Sequence, residues 1–261
     1  MRLSSANINV MVNACRKASK NLIRDFGEVE KLQVSIKGPG DFVTMTDKKV
    51  EKILIDELQK ARSNYSILSE EIGEIKNDEE FKWIIDPIDG TSNFLHGIPH
   101  FGISVALEKN KEIICGIIFD PIKNEIFSTE KGSGSYLNSQ RIRVSSRKKL
   151  EDCILFTGGP RRTSKNKEVA LEEYKKFSSK VLIPIRKMGS ASLDMAYVAA
   201  GRCDGFWQRD LNYWDVAAGI LLVKEAGGFV TDFIGEDKYL ENKSILAANS
   251  RINEAMIEVL K

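Results

Sequence analysis

The amino-acid sequence predicts a layered protein in which helices and strands alternate in clusters, of the α/β or α+β class. Apolar residues recur at helical spacing after Thr46. Several short apolar runs separated by turn residues lie between Ile103 and Leu137, and an almost wholly apolar segment leads into Gly227-Gly228. Together these patterns predict amphipathic helices, an antiparallel sheet and a buried helix.

The first predicted helix follows Thr46, where Val50, Leu54 and Leu58 share one face and Thr46 is a plausible N-cap. Next, Phe81 to Ile85 reads as a buried strand that runs into Asp86-Pro87.

The runs between Ile103 and Leu137 are broken by turn signals such as Asp120-Pro121, which is typical of an antiparallel sheet. In the second half, helices are predicted from about 192 to 200 and from 214 to 226. Gly227-Gly228 would end the latter with a left-handed cap.

Composition narrows the class of protein. The chain has 261 residues, 42% of them hydrophobic, and a net charge of +2, which gives no electrostatic footprint for nucleic acid or a membrane surface. Its four cysteines form no CxxC pair, no apolar run approaches the length of a membrane span, and the N-terminus lacks a signal-peptide core. We therefore expect a cytoplasmic protein with a single domain over residues 1–261, in halves of about 1–140 and 141–261.

The most informative segment is Trp83 to Phe94, in which a buried strand ends in Asp86 and Asp89. Gly90 permits close backbone approach, and the following residues can open a helix whose free amides suit a phosphate. Two unit charges about 4 Å apart repel by roughly 4 kcal/mol at an effective dielectric of 20, so carboxylates and phosphate would share a pocket only with a divalent metal.

Each acidic group also has an ordinary structural interpretation. Asp86 and Asp89 stand in common turn dipeptides, Glu70-Glu71 resembles a solvated surface pair, and Asp215 at the start of an apolar helix is typical of a cap. These alternatives remain open when each feature is taken alone.

Taken in order, the motifs resemble those of the inositol monophosphatase family. Asp86 to Thr91 match Asp-Pro-hydrophobic-Asp-Gly-Thr/Ser, and Trp214 to Gly228 match Trp-Asp-x-Ala-Ala-Gly followed by Glu-Ala-Gly-Gly. Asp41 to Asp47, the Glu70-Glu71 pair and Gly189-Ser190-Ala191 also fall in the expected order. The resemblance covers about residues 13 to 247.

This resemblance implies a layered α-β-α-β-α sandwich, a homodimer, lithium sensitivity and Mg²⁺ as cofactor. The implied metal ligands are the carboxylates of four acidic residues and one backbone carbonyl: Glu70, Asp86, Asp89, Asp215 and the carbonyl of Ile88. Hard oxygen donors of this kind suit magnesium. Thr91 and Asp47 would activate the attacking water.

The resemblance also implies the contacts to substrate. The implied contacts lie within three of the motifs and at one position before the last of them: Asp89, Gly90, Thr91, Gly189, Ser190, Ala191, Gln208 and Asp215. Thr91 and Asp47 have ordinary interpretations as a helix N-cap and a first-turn acid.

One position departs from the family pattern. Typical members carry Glu seven residues before the Asp of the Trp-Asp motif, where it accepts hydrogen bonds from sugar hydroxyls, and here that residue is Gln208. An amide offers one acceptor oxygen and two donors, whereas a carboxylate only accepts. We expect hydrolysis of small phosphate monoesters with inositol 1-phosphate favoured, although the departure weakens the case for inositol as the preferred alcohol.

Three alternatives stay open for function. Sugar-bisphosphate and nucleotide phosphatases share the metal core, and bacterial members include extragenic-suppressor proteins that associate with the transcription machinery. The basic segment, defined as Arg141 to Lys149 with five Lys or Arg in nine residues, could contact RNA or an acidic partner, although such a segment is usually a solvated loop.

The remaining candidates are single side chains. His96 and His100 lie in no family motif and are interpreted as satisfied or exposed structural histidines. Lys37 is similar to a family lysine near the metal loop, and it is equally well explained as a solvated loop residue.

Overall fold

The computed structural model of the chain describes residues 5–28, 34–38, 41–77, 80–159 and 164–261. Its helices run in chain order as follows: α1 (Ala6–Phe26), α2 (Met45–Ala61), α3 (Thr91–Leu95), α4 (Lys167–Ser178), α5 (Ala191–Ala199), α6 (Tyr213–Glu225) and α7 (Ser250–Leu260).

The strands of the first half are β1 (Val34–Gly38), β2 (Asp41–Thr44), β3 (Ser66–Ser69), β4 (Gly73–Ile75), β5 (Phe81–Asp89), β6 (Gly102–Lys109), β7 (Glu112–Asp120), β8 (Glu125–Glu130), β9 (Gly134–Leu137) and β10 (Gln140–Ile142). Those of the second half are β11 (Leu155–Phe156), β12 (Gly205–Arg209), β13 (Phe229–Thr231) and β14 (Ser244–Ala248).

The described strands form a β1–β2 hairpin and two larger sheets. The larger sheet has eight strands in the order β10-β9-β8-β7-β6-β5-β3-β4, and β3 and β5 pair in parallel while its other neighbours are antiparallel. The smaller sheet has the order β11-β12-β14-β13. The antiparallel pattern predicted between Ile103 and Leu137 is confirmed by strands β6 to β9.

Side chains that alternate along β5 separate two hydrophobic cores. Trp83 and Ile85 face a core shared with α1 and α2, whereas Ile84 faces a core shared with α5 and α6. This alternation follows from the period of two residues in a strand. Each face of the larger sheet is therefore covered by a helix pair.

The smaller sheet closes the other side of the α5–α6 layer. Phe206 of β12 belongs to the core of α5 and α6, and its neighbour Trp207 packs with Phe177 of α4 and Met256 of α7 on the opposite face. The order of layers is α1–α2, large sheet, α5–α6, small sheet, α4–α7. The predicted α-β-α-β-α sandwich is confirmed.

Helix α6 lies between the two sheets, and its sequence accounts for this position. From Val216 to Val223 every residue is buried, as is expected for a helix that is apolar on all sides. Gly116 of β7 allows close approach, since a Cβ there would lie 3.1 Å from the Cα of Ala218. The predicted end is confirmed, because Gly227 follows the helix with φ of +85°.

The predicted cap of α2 is wrong. The helix begins at Met45, so Thr46 lies inside its first turn and is buried. Its hydroxyl donates to Asp25 Oδ2 of α1 at 2.8 Å instead of capping the helix. Thr46 thus joins the two helices of the outer layer.

The single-domain interpretation and its division near residue 140 stay predictions. Within the described ranges, no helix has the length and apolarity needed to cross a membrane. The side chains of Lys37 and of Asp41 to Thr44 lie outside what the structure describes.

Candidate active site

The end of β5 carries both aspartates of the central motif, and the strand is irregular there. Asp86 pairs with Ser104 and Asp89 with Gly102, so three steps along β5 correspond to two along β6. Residues three apart in a regular strand point to opposite faces, and one extra residue in a bulge corrects this parity. The bulge therefore allows Asp86 and Asp89 to serve the same site.

Glu70 reaches this site from the neighbouring parallel strand. Ser69 of β3 pairs with Ile85 of β5, and the Glu70 amide donates to the Ile85 carbonyl at 3.3 Å. Because the carboxyl ends of parallel strands meet at one edge, Glu70 is placed beside Asp86. The surface-pair interpretation is thus wrong for Glu70, which is half-buried.

Asp215 enters from α6. Its Oδ2 accepts a hydrogen bond from the Asn212 amide at 2.7 Å, so the capping interpretation is confirmed. The negative charge of this buried carboxylate also raises the pKa of Asp86, so Asp215 is within electrostatic reach of the end of β5. One side chain thus begins the helix and contributes charge to the site.

The charges of the site converge on Asp86. Burial, followed by the negative charges of Glu70, Asp89 and Asp215, raises the pKa of Asp86 well above its ordinary value. Within the described ranges, no group of three or more His, Cys, Asp or Glu side chains is arranged to hold a metal ion as it stands. The chemistry of the donors nevertheless fits a divalent cation, because hard carboxylate oxygens are its preferred ligands and its charge would offset their repulsion and desolvation.

Asp89 is held by the first turn of α5. Its Oδ2 accepts from the Ser190 hydroxyl and from the Ser192 amide, both at 2.6 Å. Ser190 is also the N-cap of α5, since its Oγ accepts from the Leu193 amide at 3.4 Å. Burial raises the pKa of Asp89, while the hydrogen bonds from Ser190 and Ser192 oppose the rise.

Thr91 and Asp47 meet at the same end of β5. Thr91 Oγ1 donates to the Ile88 carbonyl at 2.9 Å and lies 3.3 Å from Asp47 Oδ1. Asp47 is buried in the first turn of α2, where the sequence predicts a first-turn acid. The N-cap interpretation of Thr91 is wrong, because Gly90 occupies the cap position of α3 with φ of +98°.

Gly90 and Gly189 lie against each other near this turn. A Cβ on Gly90 would lie 3.2 Å from the carbonyl oxygens of Gly189 and His100, which confirms the predicted close backbone approach. Gly189 has φ of +88°, and a Cβ there would lie 2.9 Å from Asn93 Nδ2. Gly189, Ser190 and Ala191 thus reach the motif of β5 from the far half of the chain.

Gln208 lies on β12 of the small sheet. It lies half-buried near the end of β12, and a Cβ on Gly158 would lie 2.2 Å from its Oε1. A cavity beside it is lined by polar side chains of the small sheet and α4, including Glu173, Tyr174 and Asp210. Gln208 is linked to the carboxylates along the chain, through the turn that leads into Asp215.

Three residues near the site were missed from the sequence. Asn93 donates from Nδ2 to the His100 and Met188 carbonyls, both at 2.7 Å, and so ties α3 to the loop before α5. Asp194 and Glu51 are buried carboxylates on α5 and α2. Their signal was available: each is an acidic residue on the apolar face of a predicted helix.

His100 differs from the prediction. His96 is exposed, with Nδ1 2.7 Å from the Ser92 carbonyl, but His100 is buried and its Nε2 lacks a hydrogen-bond partner among the described residues. Nε2 lies 3.9 Å from Asp194 Oδ1. Burial raises the pKa of Asp194 to about 6, and His100 opposes the rise. His100 is therefore neither exposed nor fully satisfied.

The basic segment is exposed at its cationic residues. Arg147 lies 3.3 Å from Asp204, and the Asn249 amide donates to the carbonyls of Ser145 and Arg147. These contacts attach the segment to the small-sheet side of the protein. A binding role for it stays a prediction.

Comparison with known proteins decides the family. The sequence profile described as the inositol monophosphatase family matches residues 5–261. The chain belongs to the inositol monophosphatase family. Metal dependence is general in this family, and the names of its members support phosphatase activity.

Two curated relatives and one solved structure illustrate the range of this inositol monophosphatase family. An inositol-1-monophosphatase of Rhizobium meliloti is 53% identical over 98% of this chain and 97% of its own. Nus factor SuhB of Escherichia coli is 39% identical over 96% and 94%. The crystal structure of extragenic suppressor protein suhB from Bartonella henselae matches with a TM-score of 0.95 and 49% identity, covering 98% and 99% of the two chains.

Proposed function

We propose that this protein is a magnesium-dependent phosphatase of small phosphate monoesters, with inositol 1-phosphate as the favoured substrate. The observation that carries the proposal is the convergence of Glu70, Asp89 and Asp215 on the buried Asp86. The name of the Rhizobium meliloti relative supports the choice of substrate.

The metal would be held by the carboxylates of Glu70, Asp86, Asp89 and Asp215, with the Ile88 carbonyl as a further oxygen donor. Bound magnesium would supply positive charge for the phosphate and lower the pKa of a water molecule. The Ser190 hydroxyl and the Ser192 amide hold Asp89 in one orientation for this role.

Thr91 and Asp47 would handle the proton of the attacking water. The Thr91 hydroxyl has one hydrogen, which it can give either to the Ile88 carbonyl at 2.9 Å or to Asp47 Oδ1 at 3.3 Å. With the hydrogen turned to Asp47, the Thr91 oxygen can accept a hydrogen bond from water. Asp47 lies in the first turn of α2 and is buried, so its carboxylate is not in contact with bulk water. It is therefore placed to accept a proton through Thr91. Gly90, with Gly189, Ser190 and Ala191, would line the space for the phosphoryl group.

The alcohol would extend toward Gln208, at the small-sheet side of the site. A Gln amide can donate as well as accept, which suits alcohols that present an acceptor. Sugar bisphosphates and nucleotides therefore remain alternative substrates. We further propose a homodimer in the cytoplasm and inhibition by lithium, as the family resemblance implies.

A regulatory role is a second candidate, and the comparison that favours it is the name Nus factor SuhB of the Escherichia coli relative. The exposed basic segment is the surface that could contact RNA or the transcription machinery. This role does not require the carboxylate cluster, so the two candidates can be separated.

Phosphate release from a panel of monoesters, with magnesium or with chelator, tests the proposed activity. Asp86→Asn should abolish turnover while circular dichroism shows a folded protein. The matched control is Asp232→Asn at another fully buried carboxylate, on the small-sheet side, which should change kcat/KM by less than about two-fold once folding is confirmed. Normal hydrolysis by Asp86→Asn in chelator would refute the metal mechanism.

The regulatory candidate has its own outcome. RNA binding that weakens with salt and survives Asp86→Asn would identify a separate binding surface, and charge reversal at Arg147 and Lys149 should then remove it.

A further inference from the structure

Glu51 of α2 is a buried carboxylate to which the proposed mechanism assigns no role. Its exposed fraction is 2%. Oε1 accepts hydrogen bonds from the Ser69 hydroxyl, from the Glu71 amide at 3.0 Å and from the Ile72 amide at 3.4 Å. These donors lie immediately before and after Glu70.

The turn around Glu70 is therefore held from two sides. On the side of the sheet, the Glu70 amide donates to the Ile85 carbonyl. On the side of helix α2, one oxygen of Glu51 accepts three hydrogen bonds. A buried carboxylate is costly to desolvate unless it is hydrogen-bonded, so these donors compensate Glu51, and Glu51 in turn restricts the backbone of the turn.

Helix α2 connects this turn to the rest of the site. Glu51 lies four residues after Asp47, so both carboxylates are on one face of the helix, and both are buried. Asp47 contacts Thr91, and Glu51 holds the turn that carries Glu70. The same helix surface thus sets the position of a proposed proton acceptor and of a proposed metal ligand.

We propose that Glu51 is a positioning residue for the metal site, which orients Glu70 through the backbone of residues 69–72 without touching the metal or the substrate. This inference rests on the proposed function, because it takes Glu70 as a metal ligand. Partners that orient a metal ligand commonly change metal affinity or activity by 10 to 100-fold when they are removed.

Two substitutions separate the hydrogen bonds of Glu51 from its charge. Glu51→Gln removes the charge but keeps an oxygen that can accept from the Glu71 and Ile72 amides. Glu51→Ala removes both and leaves these buried donors unsatisfied. The full-length protein is used throughout, and Asp56→Ala at an exposed position of the same helix is the control.

Magnesium affinity is measured twice, as the half-saturating concentration for phosphate release and as the dissociation constant from isothermal titration of the metal alone. Glu51→Ala should raise both by about 10-fold or more, with kcat at saturating magnesium reduced far less. Glu51→Gln should stay within about three-fold of wild type, and Asp56→Ala should be unchanged.

Wild-type magnesium affinity in folded Glu51→Ala would overturn the proposal. Equal losses of magnesium affinity in Glu51→Gln and Glu51→Ala would also overturn it, because the effect would then come from the charge of Glu51 and not from its hydrogen bonds. If Glu51→Ala does not fold, Ser69→Ala removes one of the three donors and should raise the magnesium constants by a smaller factor; no change there would count against the proposal. Glu70→Gln separates this inference from the proposed function: unchanged magnesium binding in that variant would show that Glu70 is not a ligand, whatever Glu51 does.

Discussion

The carboxylate cluster and the surroundings of Gln208 are built differently. At the cluster, Asp89 accepts two hydrogen bonds of 2.6 Å from the start of α5, and Thr91 contacts Asp47 and the Ile88 carbonyl. Gln208 is instead positioned by packing across the bare backbone of Gly158. The geometry of the carboxylate cluster thus depends on several side chains that hydrogen-bond to one another. The part of the site that would contact the alcohol can instead be changed by substitution of a single residue, Gln208.

The largest effect on activity should come from a substitution at the carboxylate cluster. Thr91→Ala removes the hydroxyl between Asp47 and the Ile88 carbonyl, and loss of one positioned general-base contact commonly lowers the rate by about 100-fold or more. We expect kcat to fall by this factor while the half-saturating magnesium concentration changes little. Steady-state phosphate release at several magnesium concentrations measures both.

Two variants sharpen this result. Thr91→Ser keeps the hydroxyl and should retain much of kcat, and Ser92→Ala at the exposed neighbouring position should be indistinguishable from wild type. An unchanged kcat in Thr91→Ala would restrict Thr91 to a structural role at the start of α3.

An intermediate effect, on stability, is expected at Asp194 of α5. Its pKa of about 6 in the folded protein lies above the ordinary value of 3.8. The folded state therefore binds the proton more tightly, and this contribution to stability is present below about pH 4 and is lost as the pH rises through 6. Between pH 4.5 and 7.5 the loss is about 2 kcal/mol, from roughly 1.4 kcal/mol per pKa unit.

Urea denaturation across this pH range measures the effect. The free energy of unfolding of wild type minus that of Asp194→Asn should decrease by about 2 kcal/mol from pH 4.5 to 7.5. Asp237→Asn, at a largely exposed aspartate, is the control for the removal of one carboxylate charge. A difference for Asp194→Asn that does not change with pH would mean that Asp194 titrates normally despite its burial.

The smallest effect should come from the Gln208 end. A charge-assisted hydrogen bond is roughly twice as strong as a neutral one, so Gln208→Glu should gain about 1 kcal/mol with a polyol that presents the matching hydroxyl. This corresponds to an increase of about five-fold in kcat/KM for inositol 1-phosphate relative to phenyl phosphate. Gln140→Glu, at an exposed position, controls for the added charge.

The same measurement also has outcomes that contradict a contact between Gln208 and a polyol hydroxyl. If the natural alcohol presents an acceptor to the amide, Gln208→Glu should lower kcat/KM for that compound instead. A selectivity ratio that does not change for any polyol would show that position 208 does not contact the alcohol, and the two ends would then not divide chemistry from recognition.

The sequence predicted the elements whose signals are local. The apolar face of α2, the apolar strand before Asp86 and the glycines after α6 were each visible as short patterns, and the structure confirms them. The caps assigned to Thr46 and Thr91 were wrong because each helix begins earlier than the sequence suggests, so that each threonine lies inside its helix. Both hydroxyls also have a partner distant in sequence, Asp25 or Asp47, that a local pattern does not show.

Motifs and hydrophobic periodicity are properties of neighbouring residues, so the family, the layered fold and the residue types of a candidate metal site could all be predicted from the sequence alone. Which of these residues meet depends on the tertiary structure. Three contacts depend on pairing or packing between segments distant in the chain. The first is the bulge near Asp86 and Asp89, and the second is the pair of hydrogen bonds from Ser190 and Ser192 to Asp89. The third is the hydrogen bonding of Glu51 to the turn around Glu70. Strand register and helix packing are set by the whole core, so such contacts follow from the fold and not from any one segment.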